Sequence, residues 1–253
     1  MKLLLTLVCL FSFNIAIANM NFDLHTASFY DDVVQARSLL NSGTQIDLVN
    51  DEGQTALMVA AKRGNIEIVS LLLENEANVN KADDELNTAI HFATERGDHE
   101  IVRVLLDHGA DYARANNTQD TPLMIAASRG DVNTTIQFLN YKNVIDKKNG
   151  QGKTALMIAA IKGHIQIAAL LVLSSARLDL VSDWGRTALY FASEKGNLEM
   201  VKLFIEAGAN PYIHSSHYSK TALDIAKMNK HEHVVCYLES IMEIEKRNPV
   251  NLL

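Results

Sequence analysis

The feature that most constrains this chain is a period. A threonine followed by a small residue and an apolar one stands at Thr55, Thr88, Thr121, Thr154, Thr187 and Thr221, spaced by 33, 33, 33, 33 and 34 residues. Nine residues after each of the first five comes a glycine: Gly64, Gly97, Gly130, Gly163 and Gly196. Ala60, Ala93, Ala126, Ala159, Ala192 and Ala226 hold the same register, and the Leu-Leu pairs at 72–73 and 105–106 return in weaker form at 138–139, 171–172 and 204–205. A fixed period of this length marks stacked supersecondary units, none of which can bury its apolar face alone. The composition agrees: 48% hydrophobic and 21% charged residues with only three prolines suit a packed chain, not a disordered one.

Each unit can be built from its residues. The threonine can cap a short helix whose inner side is alanine and apolar residues, as in TALMVAA, TAIHFAT, TPLMIAA, TALMIAA and TALYFAS. The glycine ends that helix, where a left-handed residue costs least. Pro122 sits just inside its helix, where a missing N–H is harmless. A second amphipathic helix follows, as in NIEIVSLLLEN and DHEIVRVLLDH. A polar turn such as NDEGQ or SDWGR then leads to the next threonine.

These residues resemble the ankyrin repeat, with T-P-L-H-x-A-A at the first helix, G-H-x-E-V-V at the second and G-A-D-V-N at the exit. The resemblance covers about residues 21–241. It implies an all-α solenoid of about seven helix–loop–helix units with β-hairpin-like fingers on one side. The expected units are about 21–50, 51–83, 84–116, 117–149, 150–182, 183–213 and 214–241, with a tail at 242–253 that extends or frays the last helix. Asp31 and Lys230 stand where the helix-ending glycine is expected, so the first and last units read as caps. Glu76, Lys142 and Ser175 replace the exit glycines found at Gly43, Gly109 and Gly208, at about 1 kcal/mol each if left-handed. With Asn133, Thr134 and Thr135 in a poor second helix, the middle of the array is expected to be its weakest or most bent seam. The motif histidine is read only at His91, with Met58, Met124, Met157 and Tyr190 in its place elsewhere. His164 falls at the Gly-His position that opens a second helix.

No phosphate loop, nucleophile elbow, H-E-x-x-H or paired-cysteine metal site occurs. His214, His217, His231 and His233 form a loose cluster, but His231 and His233 point to different helix faces, so no metal or other cofactor is expected. Cys236 is expected to pack as a small hydrophobe. Carboxylates are scattered through the turns, without a facing pair suited to acid–base work. The chain is therefore expected to be no enzyme.

One charged feature does recur. Arg63, Arg96, Arg129, Lys162 and Lys195 each precede a helix-ending glycine. At a helix spacing of 8–10 Å they form a ladder of roughly 40 Å. Such cations complement the helix dipole, and they could also form a docking stripe for an acidic partner. Trp184 and Tyr218, in consecutive fingers, are further candidate contact residues, because aromatic anchors dominate interface energy.

The first residues, MKLLLTLVCLFSFNIAIAN, read as a secretory signal peptide over 1–18: Lys2, an apolar run, then Ala16-Ile17-Ala18. The run is too short for a membrane span, and no stable membrane insertion is expected after cleavage. Cleavage would remove Lys2 and Cys9, making the net charge of −7 one unit more negative and leaving Cys236 without a disulfide partner. This acidic balance argues against a nucleic-acid partner. The expected product is an exported protein, periplasmic if bacterial and otherwise secreted. It would act as a monomer, a scaffold or inhibitor binding another protein through finger tips and the first-helix face. The alternative is a bacterial effector delivered to a host cell.

Overall fold

The computed structural model describes residues 23–216 and 218–247. The signal-peptide segment, Cys9, His217 and the end of the tail lie outside them. Within them the chain forms seven helix pairs. First helices are α1 (Leu24–Tyr30), α3 (Ala56–Arg63), α5 (Ala89–Arg96), α7 (Pro122–Arg129), α9 (Ala155–Lys162), α11 (Ala188–Glu194) and α13 (Ala222–Met228). Second helices are α2 (Val33–Asn41), α4 (Ile66–Glu74), α6 (His99–Asp107), α8 (Val132–Leu139), α10 (Ile165–Leu173), α12 (Leu198–Glu206) and α14 (Glu232–Arg247). Each first helix packs on the next first helix and each second helix on the next second helix, which gives the expected all-helical stack. No strand occurs among the described residues, and the fingers contain one isolated antiparallel bridge, between Val49 and Thr55.

The repeated residues account for the stack. Thr55, Thr154 and Thr187 accept the N–H three residues on, at 3.3, 3.4 and 3.1 Å, each such cap contributing about 1 kcal/mol. The alanines in the period, from Ala60 to Ala226, are fully buried and let neighbouring first helices approach closely. Where glycine is missing, Asp31 and Lys230 adopt the left-handed conformation in its place, as do Glu76 and Ser175 at the exits. Lys142 departs from that pattern: it opens a short 3-10 turn, Lys142–Val144, so the exit of this unit is rebuilt instead of strained.

Two other expectations need correction. His91 is not the only motif histidine. His25 occupies the same place in the first unit, its Nε2 within 3.0 Å of the carbonyls of both Leu48 and Gln54 in the next finger. Cys236 is exposed, because α14 buries Val234 and Leu238 and turns Cys236 outward.

The unit 117–149 is set apart by unmet polar groups. Thr121 Oγ1, Asp131 Oδ2, Thr134 Oγ1, Thr135 Oγ1 and Gln137 Oε1 are buried without a hydrogen-bond partner in the protein. A buried orphan group costs about 1–3 kcal/mol. Replacing Thr134 and Thr135 together by valine keeps the shape and removes two orphans. The double variant is expected to gain at least about 2 kcal/mol of stability, read as a higher urea midpoint at an unchanged m-value; a lowered midpoint would contradict this reading.

His91 is 1% exposed and caps its own helix: the Thr88 N–H donates to Nδ1 at 3.2 Å. Burial pushes its pKa down to about 4 from 6.5, against the opposing pull of the nearby Arg114 and Asp120 carbonyls. Nε2 does not reach hydrogen-bond geometry with either of them. A depressed histidine pKa stabilises the fold above pH 6.5, and that contribution is lost as pH falls toward 4. His91→Gln keeps an acceptor at that position but has nothing to titrate. Between pH 7 and 4, wild type is expected to lose about 3 kcal/mol relative to His91→Gln. Parallel pH–stability profiles would refute it.

Candidate binding groove

The turns between units share one plan although their sequences differ. Asn50 Oδ1 accepts the N–H groups of Glu52 and Gln54 at 3.0 and 2.9 Å, and Asp83 Oδ1 those of Glu85 and Asn87 at 3.0 and 2.7 Å. Asn116 and Asn149 do the same in the next two fingers. Ser182 and Ser215 each accept one such N–H through Oγ. In each finger the residue two before the threonine is left-handed: Gly53, Leu86, Gln119, Gly152, Gly185 and Ser219. In the last finger the bond from Ser215 spans one residue more, and this insertion is the source of the single spacing of 34.

From the second finger on, adjacent fingers are joined through their backbones. The N–H groups of Asn117, Gly150, Asp183 and Ser216 donate to the carbonyls of Glu85, Thr118, Gln151 and Trp184, at 2.9, 3.1, 3.2 and 2.8 Å. Side chains add rungs: Asn116 Nδ2 donates to Asn87 Oδ1 and Asn149 Nδ2 to Asp120 Oδ1, at 3.1 and 2.8 Å. The fingers therefore form one pre-ordered row beside the first helices.

Between that row and the first helices runs a groove. Its floor is formed by residues four beyond the threonines, which line the hollows at Val59, Ile125, Ile158 and Phe191. A central hollow of about 460 Å3 is lined by Met124, Ile125, Ile158 and Ile161, with Arg129 and Lys162 at the rim. It shares Gln151 and Lys153 with a hollow of about 360 Å3 lined by Trp184, Arg186, Phe191 and Tyr218. A third hollow, of about 550 Å3, lies at the N-terminal end around His25, Phe29 and Lys62.

The residues singled out from sequence divide into two groups. Trp184 and Tyr218 come together, 49% and 64% exposed, as walls of one hollow above Phe191. All five cations of the ladder are exposed, but they serve different ends. The Arg63 guanidinium lies 4.2 Å from the centre of the Phe29 ring. Arg96 lies so close over Gly64 that any Cβ there would collide with it. Arg129 Nη2 donates to the Arg96 carbonyl at 3.2 Å. Lys162 and Lys195 make no ion pair among the described residues.

Sequence reasoning missed Lys153, Arg186 and Lys220, which stand immediately before their threonines. Aligning the fingers on the threonines would have revealed them. It also missed the seam role of His164, whose Nε2 donates to the Ser128 carbonyl at 3.1 Å and whose ring covers Gly130. His231 does the same to Glu194 and Gly196, so this member of the late histidine cluster is engaged in a seam. Among the described residues no cluster of His, Cys, Asp or Glu could hold a metal ion. No helix among them is long and apolar enough to cross a membrane.

Comparison with known proteins fits this geometry. The family model for ankyrin repeats matches three times, over residues 24–116, 112–182 and 170–248. The chain belongs to the ankyrin-repeat family. Ankyrin-repeat domains generally mediate protein–protein interaction, and the fold is typically a non-enzymatic scaffold. No curated protein sequence matches the chain. Among solved structures, the ankyrin-repeat domain of Bcl-3, of the IkappaB family, superposes with a TM-score of 0.78 over 87% of this chain and 99% of that one. At 24% identity that likeness concerns the fold. The ankyrin-repeat domain of human ASB11 matches at 26% identity and a TM-score of 0.74, over 83% of this chain and 96% of its own. A chain of the complex between the predatory endopeptidase Bd0816 of Bdellovibrio bacteriovorus and immunity protein Bd3460 matches at 27% identity. Its TM-score is 0.66, over 72% of this chain and 96% of that chain.

The divided roles of the ankyrin-repeat cations can be measured. Arg129→Ala removes a bond across a seam and is expected to lower the melting temperature, whereas Lys162→Ala stays within about 0.5 kcal/mol of wild type. Equal losses from both would mean that the ladder is structural throughout.

Proposed function

We propose that this chain is an exported, non-enzymatic binding protein that holds one protein partner in the groove and acts on it as an inhibitor or immunity-type protector. The observation that carries this reading is the groove itself: an apolar floor, two joined hollows and a row of exposed finger tips fixed by backbone bonds. Such pre-ordering reduces the entropy lost on binding, so more of the contact energy becomes affinity. The walls provide the side-chain types that anchor interfaces, with Trp184, Tyr218 and Arg186 around one hollow. The leader-like N-terminal sequence favours export. The likeness to a chain from an endopeptidase–immunity protein complex favours the protective role over a general adaptor.

The test separates the groove from the outer face. Ile158→Glu/Ile161→Glu places two charges in the central hollow, where both side chains are only partly buried. Leu173→Glu places one on the outer side, at a residue 81% exposed. Affinity capture from the exported fraction is expected to recover one stoichiometric partner with wild type and Leu173→Glu. The groove variant is expected to lose at least tenfold in affinity, about 1.4 kcal/mol. Undiminished capture by the groove variant, or the absence of the mature chain from the exported fraction, would contradict this function.

A further inference from the structure

The finger tips change character along the groove. The residue three before each threonine is exposed in all six fingers and reads Glu52, Glu85, Thr118, Gln151, Trp184 and Tyr218. The residue immediately before the threonine reads Gln54, Asn87, Asp120, Lys153, Arg186 and Lys220. The first two fingers thus carry Asp51, Glu52, Asp83, Asp84 and Glu85, and the cation that flanks them, Lys81, is turned to the Asp47 carbonyl at 2.6 Å. The last three carry cations at one position, a single carboxylate, Asp183, and, in the last two, aromatic rings at the tip. Asp83 is committed to its own turn, and Glu52 lies 3.8 Å from Lys62. Asp51, Asp84 and Glu85 make no ion pair among the described residues. At the far end Arg186 is held by Glu194 at 3.6 Å and stacks over Tyr190, while Lys153 Nζ donates to the Gln151 side chain at 2.8 Å. Three consecutive cations on one edge are notable in a chain of net charge −7.

We infer that the groove is electrically polarised and fixes the direction of its partner. An acidic segment bearing an aromatic or large aliphatic side chain docks over the fingers at 149–220, with that side chain between Trp184 and Tyr218. A basic segment of the same partner lies over Asp84 and Glu85, about 30 Å away at three repeat spacings. The reversed orientation sets like charges against each other at both ends, so the charge pattern selects register and speeds encounter. The inference rests on the reading of the groove as a protein-binding site and adds the chemistry of what enters it.

Trp184 is the only tryptophan, so its emission reports from inside the hollow. The probes are acetyl-Glu-Phe-Glu-Phe-Glu-amide, the same peptide with lysine for glutamate, and the glutamate peptide joined to a tri-lysine end by a Gly-Ser linker of about 24 residues, which averages roughly 30 Å. The glutamate peptide is expected to shift the emission saturably, at least tenfold more tightly than the lysine peptide and more weakly as salt rises. Lys153→Glu/Lys220→Glu should weaken it tenfold or more, while Asp84→Lys/Glu85→Lys leaves it within twofold. The joined probe should bind at least tenfold more tightly than the glutamate peptide, and Asp84→Lys/Glu85→Lys should abolish that gain. Circular-dichroism melting checks that each variant is folded. Equal binding of the two short peptides, indifference to Lys153→Glu/Lys220→Glu, or no gain from the joined probe overturns the inference. If no probe binds while Ile158→Glu/Ile161→Glu still abolishes partner capture, the polarity fails and the protein-binding reading stands.

Discussion

The contact on which the rest of this molecule depends is the one between consecutive first helices, each of which buries the alanine of the repeat. Ala60, Ala93, Ala126, Ala159, Ala192 and Ala226 are fully buried, and only small residues allow each helix to sit close to the next. Close seating brings the end of one helix within reach of side chains in the next unit. Asn65 Nδ2 reaches the Ser28 carbonyl at 2.7 Å, and His164 and His231 reach Ser128 and Glu194. The same spacing brings the fingers close enough to share backbone bonds. A bulky side chain at an alanine position would overpack the seam and loosen both rows.

The stack converts a weak local signal into a rigid surface. No finger has strands of its own, and each is a few residues folded around one Asn, Asp or Ser side chain. What fixes it is the neighbour on either side. The groove is therefore a property of the array and not of any one unit. Its polarity arises because the bonds that join the fingers use the backbone carbonyls of Glu85, Thr118, Gln151 and Trp184, so the identity of the side chain at the tip can vary. Glu52 and Trp184 occupy the same structural position with opposite chemical meaning.

How much of this was legible in the sequence follows from where each residue spends its contacts. Residues bound by the period, namely the capping threonines, buried alanines and helix-ending glycines, announced the fold, because stacking leaves them no alternative. The left-handed positions at Leu86 and Gln119 were not legible, since neither residue favours that conformation and only the ring of turn bonds imposes it. Lys142 was misread because a glycine position was assumed where the chain forms a 3-10 turn. His25 was missed because its unit lacks the opening threonine, and Cys236 because an apolar neighbourhood in sequence does not say which way a helix faces. Of the site, Trp184 and Tyr218 were visible as lone aromatics in polar turns. The cationic edge at Lys153, Arg186 and Lys220 appears only when the fingers are superposed.

The central claim is that the groove, and no other face, holds a protein partner. A photo-crosslinking residue placed at 184, at the finger tip, and at 173, on the outer helix face, tests it directly in cells producing the chain. The expected result is a single discrete adduct with another protein from position 184 and none from position 173. Adducts of equal yield from both positions, or from 173 alone, would contradict it.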